Sequence, residues 1–368
     1  RRPACPQRAT STETGGERRA AREPRGAWRR CCINRRSTVR QLTTMSAFGH
    51  DPGMNSRVHP KYKTKYGVNN WAEYDRALVL RGDITLWISE DAISSWKPAP
   101  SGRRGAQRKF SDQAIETALT LRLVFNLPLR QAEGFLRSIL SLMDVDIEAP
   151  DHTTLSRRSQ SLNVDLHRVA CDKPIHLIVD STGLSIVGEG EWAASKYGGR
   201  GRRGWKKLHL GVDRAGVIVA QTLTHGSADD AKAALDLIES IEGDIECLTA
   251  DAAYDTLAIY DASSARGAEV VIPPSKSATR SRQRRSRSSA RDRTIVRVKD
   301  IGRRQWKKES GYHQQARVEN TFFRYKTIAG PRLRARHPES QKVEVLIACN
   351  ILNRMARLGM SESTAIGG

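Results

Sequence analysis

Several things are scarce in this chain. Aromatic residues make up only 6% of its 368 positions, and cysteine occurs six times. Cys5, Cys31 and Cys32 fall in the first 44 residues, while Cys171, Cys247 and Cys349 stand alone. Without a C-x-x-C pair, neither a structural zinc site nor a disulfide framework is supported. No apolar run approaches the roughly 18 residues that a membrane-spanning helix needs, and the N-terminus has no apolar stretch of the kind a secretory signal requires. A cytoplasmic protein is expected. Acidic residues are also short: 40 Asp and Glu face 62 Lys and Arg, for a net charge of +22. Such an excess predicts a polyanionic partner, and at this size nucleic acid in particular.

The charge is not an artefact of one end. Residues 1–44 carry 12 Arg and 3 Glu, or +9, which leaves +13 for the rest. This stretch is poor in apolar residues and has no period, so it reads as a disordered basic prefix. It is expected to be either translated upstream sequence, with Met45 or Met54 as the start, or a genuine basic arm.

Residues 45–166 read as a helical DNA-binding region. After a Gly/Arg linker, Ser111 is an expected N-cap for a helix with Ile115, Leu119, Leu121 and Leu123 among its apolar positions. Pro128 fits the first position of a second helix, and Asp151 caps a short third one carrying Thr153, Thr154, Ser156, Arg157 and Arg158. Helix, helix, turn and a helix opening on small polar and basic residues suggests a helix-turn-helix, with Arg157 and Arg158 on DNA.

Residues 167–360 change period. PIHLIVDSTG is the nearly continuous apolar run of a strand buried on both faces. WKKLHLGVDRAGVIVAQTLT reads as a hairpin around DRAG, with His209 packed inside it. A helix capped by Ser227, a strand ending DIECLTAD, a helix ended by Gly267 and a strand AEVVIPP follow. Then comes a basic insertion at about 274–310, whose TIVRV could add a strand and whose Trp306 could stack on an unpaired base. The fold class expected is α/β, a mixed sheet flanked by helices.

The carboxylates are the chemical clue. Asp180 ends the first apolar strand and Asp251 follows another, where open α/β sheets bind ligands. Glu319 lies on the helix after the insertion; at 100° per residue, Tyr312, Gln315, Glu319 and Lys326 share one face within about 60°. Arg317 is on another face. Two strand-end aspartates and a helix glutamate could cradle two hard divalent cations. Each alone reads as a cap, a turn or a solvated group. The Gly-rich basic stretch before the hairpin, with Arg203, Lys206 and Lys207, suggests a loop that closes on DNA. Asp255 is expected as a helix N-cap.

The blocks IVDSTGL, RRGWKKLHLGVD, LTADAAYD and GYHQQARVENTFFRYKTI resemble the signature blocks of bacterial insertion-sequence transposases of the DDE class, most closely the IS-five family. The resemblance runs from about residue 61 to Met360. It implies an RNase H-like catalytic core whose three acidic residues correspond to Asp180, Asp251 and Glu319. It also implies two Mg²⁺ ions, replaceable by Mn²⁺, and a homodimer on paired double-stranded transposon ends and target DNA. The related signature is Tyr, Arg, Glu, Lys. Tyr312, Glu319 and Lys326 match it, but Gln315 occupies the arginine position, which puts the phosphate contact expected there in doubt. In this reading Tyr312, Lys326 and the neighbouring Arg317 hold the DNA backbone around Glu319. The implied function is transposition: binding terminal inverted repeats, nicking the ends and joining 3′-hydroxyls to target. A DNA-binding relic without catalysis and an RNase H-like nuclease are the two alternatives.

Overall fold

The structure, a computed structural model, describes residues 66–365 apart from 101, 103, 106, 169–172, 189–203 and 281–288. The basic prefix, Arg203 and Cys171 therefore lie outside the described residues. Residues 64–368 form one compact unit.

Its centre is a mixed sheet. The apolar run ahead of Asp180 becomes β2 (Ile175–Ile186), where Leu177, Ile178 and Val179 are fully buried. β3 (Trp205–Val212) pairs with it antiparallel, placing Leu210 opposite Asp180, and β4 (Ile218–His225) pairs antiparallel with β3. On the other side, β5 (Ile245–Ala250) and β6 (Glu269–Val271) run parallel to β2 in turn. The order is β4-β3-β2-β5-β6, with the two-residue β7 (Arg332–Leu333) pairing along the far end of β2. Three antiparallel strands extended by two parallel ones give the mixed sheet expected of an RNase H-like core. At the chain ends a separate two-stranded ladder joins β1 (Tyr66–Val68) to β8 (Ser363–Ala365).

The pleat sends alternate residues to opposite faces. Leu177 and Val179 join a core with α6 (Asp230–Ser240) and α7 (Leu257–Ala265). Ile178, Leu184, Leu208 and Leu210 join the opposite core, formed with α10 (Ala316–Ile328) and α11 (Pro338–Leu358). That second core continues without a break into α3 (Asp112–Val124), α4 (Leu129–Leu142) and α5 (His152–Arg158). The N-terminal side also carries α1 (Trp71–Leu80) and α2 (Glu90–Ser94). Helix α11 buries Val345, Cys349 and Leu352 in this core and carries two buried amides that fix its neighbours. Asn353 donates to the carbonyl of Ile218 and accepts its N–H, both at 2.8 Å, which satisfies the outermost strand. Asn350 accepts the His167 N–H at 2.8 Å.

The expected helix caps are present at Ser111 and Asp151, and Gly267 closes α7 with φ +70°. Others shift. Pro128 is the cap itself rather than the first helical residue. Helix α6 is capped by Asp229, not Ser227; its Oδ1 accepts the N–H groups of Ala231 and Lys232, and a charged acceptor suits the positive end of the helix. The run TIVRV is helical, inside α8 (Ser289–Ile301). Its β-branched content suggested a strand, but Ile295 is buried, and Val298 and Ile301 pack beside Trp306 at a three-residue spacing.

Candidate active site

Asp180 lies in β2 and Asp251 one residue beyond β5, the parallel strand alongside it. Each aspartate has one oxygen fixed by the backbone. Asp180 Oδ1 accepts the Ser181 N–H at 2.7 Å, and Asp251 Oδ1 accepts the Ala253 N–H at 2.9 Å as the cap of a short 3₁₀ turn. Glu319 is exposed in the first turn of α10, which packs across β2 and β3. Burial pushes the Asp180 carboxyl up to about 6, and the negative charges of Asp251, Glu319 and Asp230 push the same way against its backbone hydrogen bond. Asp180 thus feels two acids drawn from segments far from it in sequence.

Tyr312 belongs to this neighbourhood. Half-buried, its phenol is pushed up to about 12, first by desolvation and then by the charges of Asp251, Asp180 and Glu319. The chain reaches it through a bend: α9 (Arg303–Glu309) ends, Gly311 adopts φ +69°, and Tyr312–Gln315 form a 3₁₀ turn before α10. Glycine suits that left-handed backbone because it has no Cβ to clash. The single helix expected from Tyr312 to Lys326 is therefore two elements. At their junction Gln315 turns inward, nearly fully buried, and its Nε2 donates to the carbonyl of Val179 at 3.2 Å. The residue that departs from the signature is a brace behind the strand of Asp180, which leaves it no role on a DNA phosphate.

Several expected DNA contacts are occupied elsewhere. Trp306 is buried against Cys247, Val271 and Tyr312, so it offers no face to an unpaired base. Arg158 donates to the carbonyl of Phe110 and pairs with Asp112. Lys207 pairs with Asp230 at 3.1 Å and donates to the carbonyl of Ala228 at 3.0 Å, on the face of the sheet away from α10. His209 is fully buried beside Thr224, as expected, and burial holds its imidazole low. Arg317 is exposed near the hairpin turn, where its charge draws the Asp213 carboxyl down against a larger upward push from burial. Asp255 caps no helix. It is buried and grips Arg291 of the insertion at 2.7 Å and the Ser275 N–H at 2.9 Å. Lys206, Arg157 and Lys326 remain at least partly exposed. By strand alternation Lys206 shares the face of Leu208 and Leu210, that of α10.

Two models with the description "Transposase DDE domain" match this chain, one over residues 79–189 and the other over 172–354. The chain belongs to the DDE transposases. Helices α3 to α5 and Asp180 fall in the first match, and all three acids with Tyr312 and Lys326 in the second. Similar solved structures include the cryo-EM structure of a piggyBac transposase synaptic complex with hairpin DNA. It is 12% identical, over 80% of this chain and 78% of that one, with a TM-score of 0.35. As a member of the DDE family, the transposase is an enzyme of metal-dependent DNA cleavage and strand transfer. Among the described residues, no three His, Cys, Asp or Glu side chains are gathered closely enough to hold a metal ion as they stand. The donor set nonetheless suits a hard divalent cation in kind: all oxygen, and negative charges whose mutual repulsion a cation would relieve. Among the described residues, no helix is long and apolar enough to cross a membrane.

Proposed function

We propose that this transposase binds the terminal inverted repeats of an insertion sequence, nicks the element ends and joins their 3′-hydroxyls to target DNA at Asp180, Asp251 and Glu319. One observation supports the reading: at the carboxyl end of the parallel strand pair, Asp180 of β2 is raised by burial and by the charges of Asp251 after β5 and Glu319 on α10. These residues would hold two Mg²⁺ ions, with Mn²⁺ as a substitute. Divalent ions bound there would lower the pKa of an attacking water or 3′-hydroxyl and offset charge on the phosphoryl oxygens.

The protein's own contribution is placement. Backbone N–H groups fix one oxygen of each aspartate and so orient the other. Gln315 braces β2 from behind. Tyr312 keeps its proton, since burial and then the charges of the three acids oppose its ionisation, and so can donate a hydrogen bond to a backbone phosphate. Lys326 and Lys206 add cationic contacts on the α10 side, while Arg157 on α5 reaches DNA from the helical region. A homodimer holding two ends, in the bacterial cytoplasm at the nucleoid, completes the proposal.

The test uses protein begun at Met45 and labelled DNA carrying the element's own ends, with Mg²⁺ or Mn²⁺. Nicking and joining that disappear in Asp251→Asn support the proposal. Cleavage without joining points to a nuclease, and tight end binding without cleavage points to a binding-only relic; either result overturns it.

A further inference from the structure

A second charged feature includes none of the three acids. Between α3, α4, α5 and the segment 334–340 that leads into α11 is a cavity of about 320 Å³. Its lining includes Arg122, Arg334, Arg336, Ser156, Ser340 and Glu344, over an apolar wall of leucine, valine and isoleucine. Arg122 comes from the last turn of α3, is 7% exposed, and its Nε has no hydrogen-bond partner. A buried guanidinium with an unused donor is costly unless something completes it.

Glu344 is close enough to favour the Arg122 charge, but both its oxygens are engaged elsewhere. They accept the N–H groups of Arg334 at 2.8 Å and Ala335 at 2.7 Å. Gln341, also buried, donates to the carbonyls of Ala335 and Arg336 at 3.1 and 3.3 Å. Two buried polar side chains of α11 thus clamp the backbone of 334–336 and present its arginines. Arg334 reaches across to the carbonyl of Leu127 at 3.0 Å, and Arg336 is exposed at the rim. Three guanidinium groups face one carboxylate whose oxygens are already bonded. Leu129, Ser156 and Gln160 carry the lining onward into an open groove along α5 that holds Arg130 and Arg157.

We propose that this cavity is a binding site for a phosphate group, held by Arg122 at its floor and by Arg334 and Arg336 above. Guanidinium donors match phosphate oxygens in geometry and charge, and the Ser156 hydroxyl supplies a neutral donor beside them, while that of Ser340 is bonded to Ser159 at 2.9 Å. Two sources offer that group: a DNA backbone phosphate entering from the groove along α5, or a free phosphate. The site goes beyond the catalytic proposal because none of the three acids takes part.

The experiment uses the full chain and two probes. Inorganic phosphate is titrated against chloride at equal ionic strength, with the thermal midpoint as readout. Random-sequence duplex DNA is bound across a salt series. The wild type should be stabilised by millimolar phosphate, and Arg122→Gln and Arg336→Gln should each weaken that binding at least fivefold. If the source is DNA, each variant should also lower the slope of log affinity against log salt by about 0.9, the value of one lost phosphate contact on duplex DNA. Because Arg122 is buried, such a change on its removal cannot come from a surface contact. A phosphate response with an unchanged slope supports the site and assigns it to free phosphate; a lowered slope without that response supports it and assigns it to DNA. Should Arg122→Gln fail to fold, Arg336→Gln, at an exposed position, decides the matter through the phosphate titration. No phosphate-specific stabilisation together with an unchanged slope overturns the proposal. End cleavage by the wild type is scored separately, so losing this site would leave the reading of the acids intact.

Discussion

Asp180 and Arg122 are both charges largely removed from water, yet their surroundings are built on different scales. The neighbours of Asp180 arrive from distant segments: Asp251 from the end of β5, and Glu319 and Tyr312 from beyond the insertion. Nothing local brings them together; the sheet order does. The arginines over Arg122 are instead set by their own helix, since Glu344 and Gln341 reach back only five to ten residues to the segment they clamp. An acid site assembled over long range depends on the whole fold. The locally clamped segment 334–336 should be removable with the acids left in place. That difference can be probed by substitution.

The largest effect is expected at Asp251. Asparagine keeps a carbonyl oxygen able to accept the Ala253 N–H, so the cap survives while the charge is lost. End cleavage should fall by about a thousandfold or more, the scale of several kcal/mol of lost stabilisation at a reacting phosphate, with the thermal midpoint nearly unchanged. A large drop in midpoint would mean that the carboxylate is structural.

Glu344→Ala should separate the two regions. It leaves two backbone N–H groups without their acceptor, at about 1–3 kcal/mol each, so about 4 kcal/mol should be lost in denaturant titration. The phosphate response should go with it. Fluorescence-detected Mn²⁺ binding at the acids should persist in whatever fraction stays folded. If metal binding disappears in that fraction too, the two regions are coupled and the contrast between them fails.

A pH dependence should arise in β2 itself. His176 is buried, accepts from Arg214 Nε at 2.9 Å and lies 2.8 Å from the Thr249 hydroxyl. Burial first, then the Arg214 charge, lowers its imidazole to about 4. Between pH 6.5 and 4 the unfolded chain takes up a proton that the folded chain refuses, so stability falls as pH falls through that window. At 1.36 kcal/mol per unit, the loss is of the order of 3 kcal/mol. Urea midpoints at pH 7 and pH 4.5 would measure it, and His176→Gln should remove most of the difference. An unchanged pH slope in that variant would show that other groups dominate.

The contrast also explains what could be read in the sequence. The apolar run of β2, the aspartate just after β5 and the glutamate on α10 are local patterns, legible because strand alternation and strand ends are local properties; Asp180 read as a strand end, but β2 runs on past it to Ile186. TIVRV was legible only in part: its residue types suit a strand, and the spacing of Ile295, Val298 and Ile301 decides for a helix. The fate of a basic residue was not legible. Arg158 and Lys207 look as available for DNA as Arg157 and Lys206, and only the positions of Asp112 and Asp230 neutralise them. The clamped segment did leave a trace, the alternation of arginine with Leu333 and Ala335 in RLRAR at 332–336. What makes it a site is Arg122, more than 200 residues earlier in the chain.

The smallest effect concerns the support of Glu319. The hairpin turn between β3 and β4 holds Gly216 at φ +77°, and its carbonyl accepts from the Thr321 hydroxyl of α10 at 3.3 Å. A Cβ added there would meet only that hydroxyl oxygen, at an ordinary 3.5 Å, so space is not the obstacle. The left-handed backbone is, and Gly216→Ala should cost about 1 kcal/mol. Because Thr321 also bonds the Arg317 carbonyl at 3.0 Å within its own helix, α10 should keep its place and end cleavage should stay within about twofold of wild type, a barrier change under 0.5 kcal/mol. A larger loss of cleavage at so small a loss of stability would show that the acid site depends on this turn for the placement of Glu319. The long-range assembly of the acids would then be finer than the sheet order alone provides.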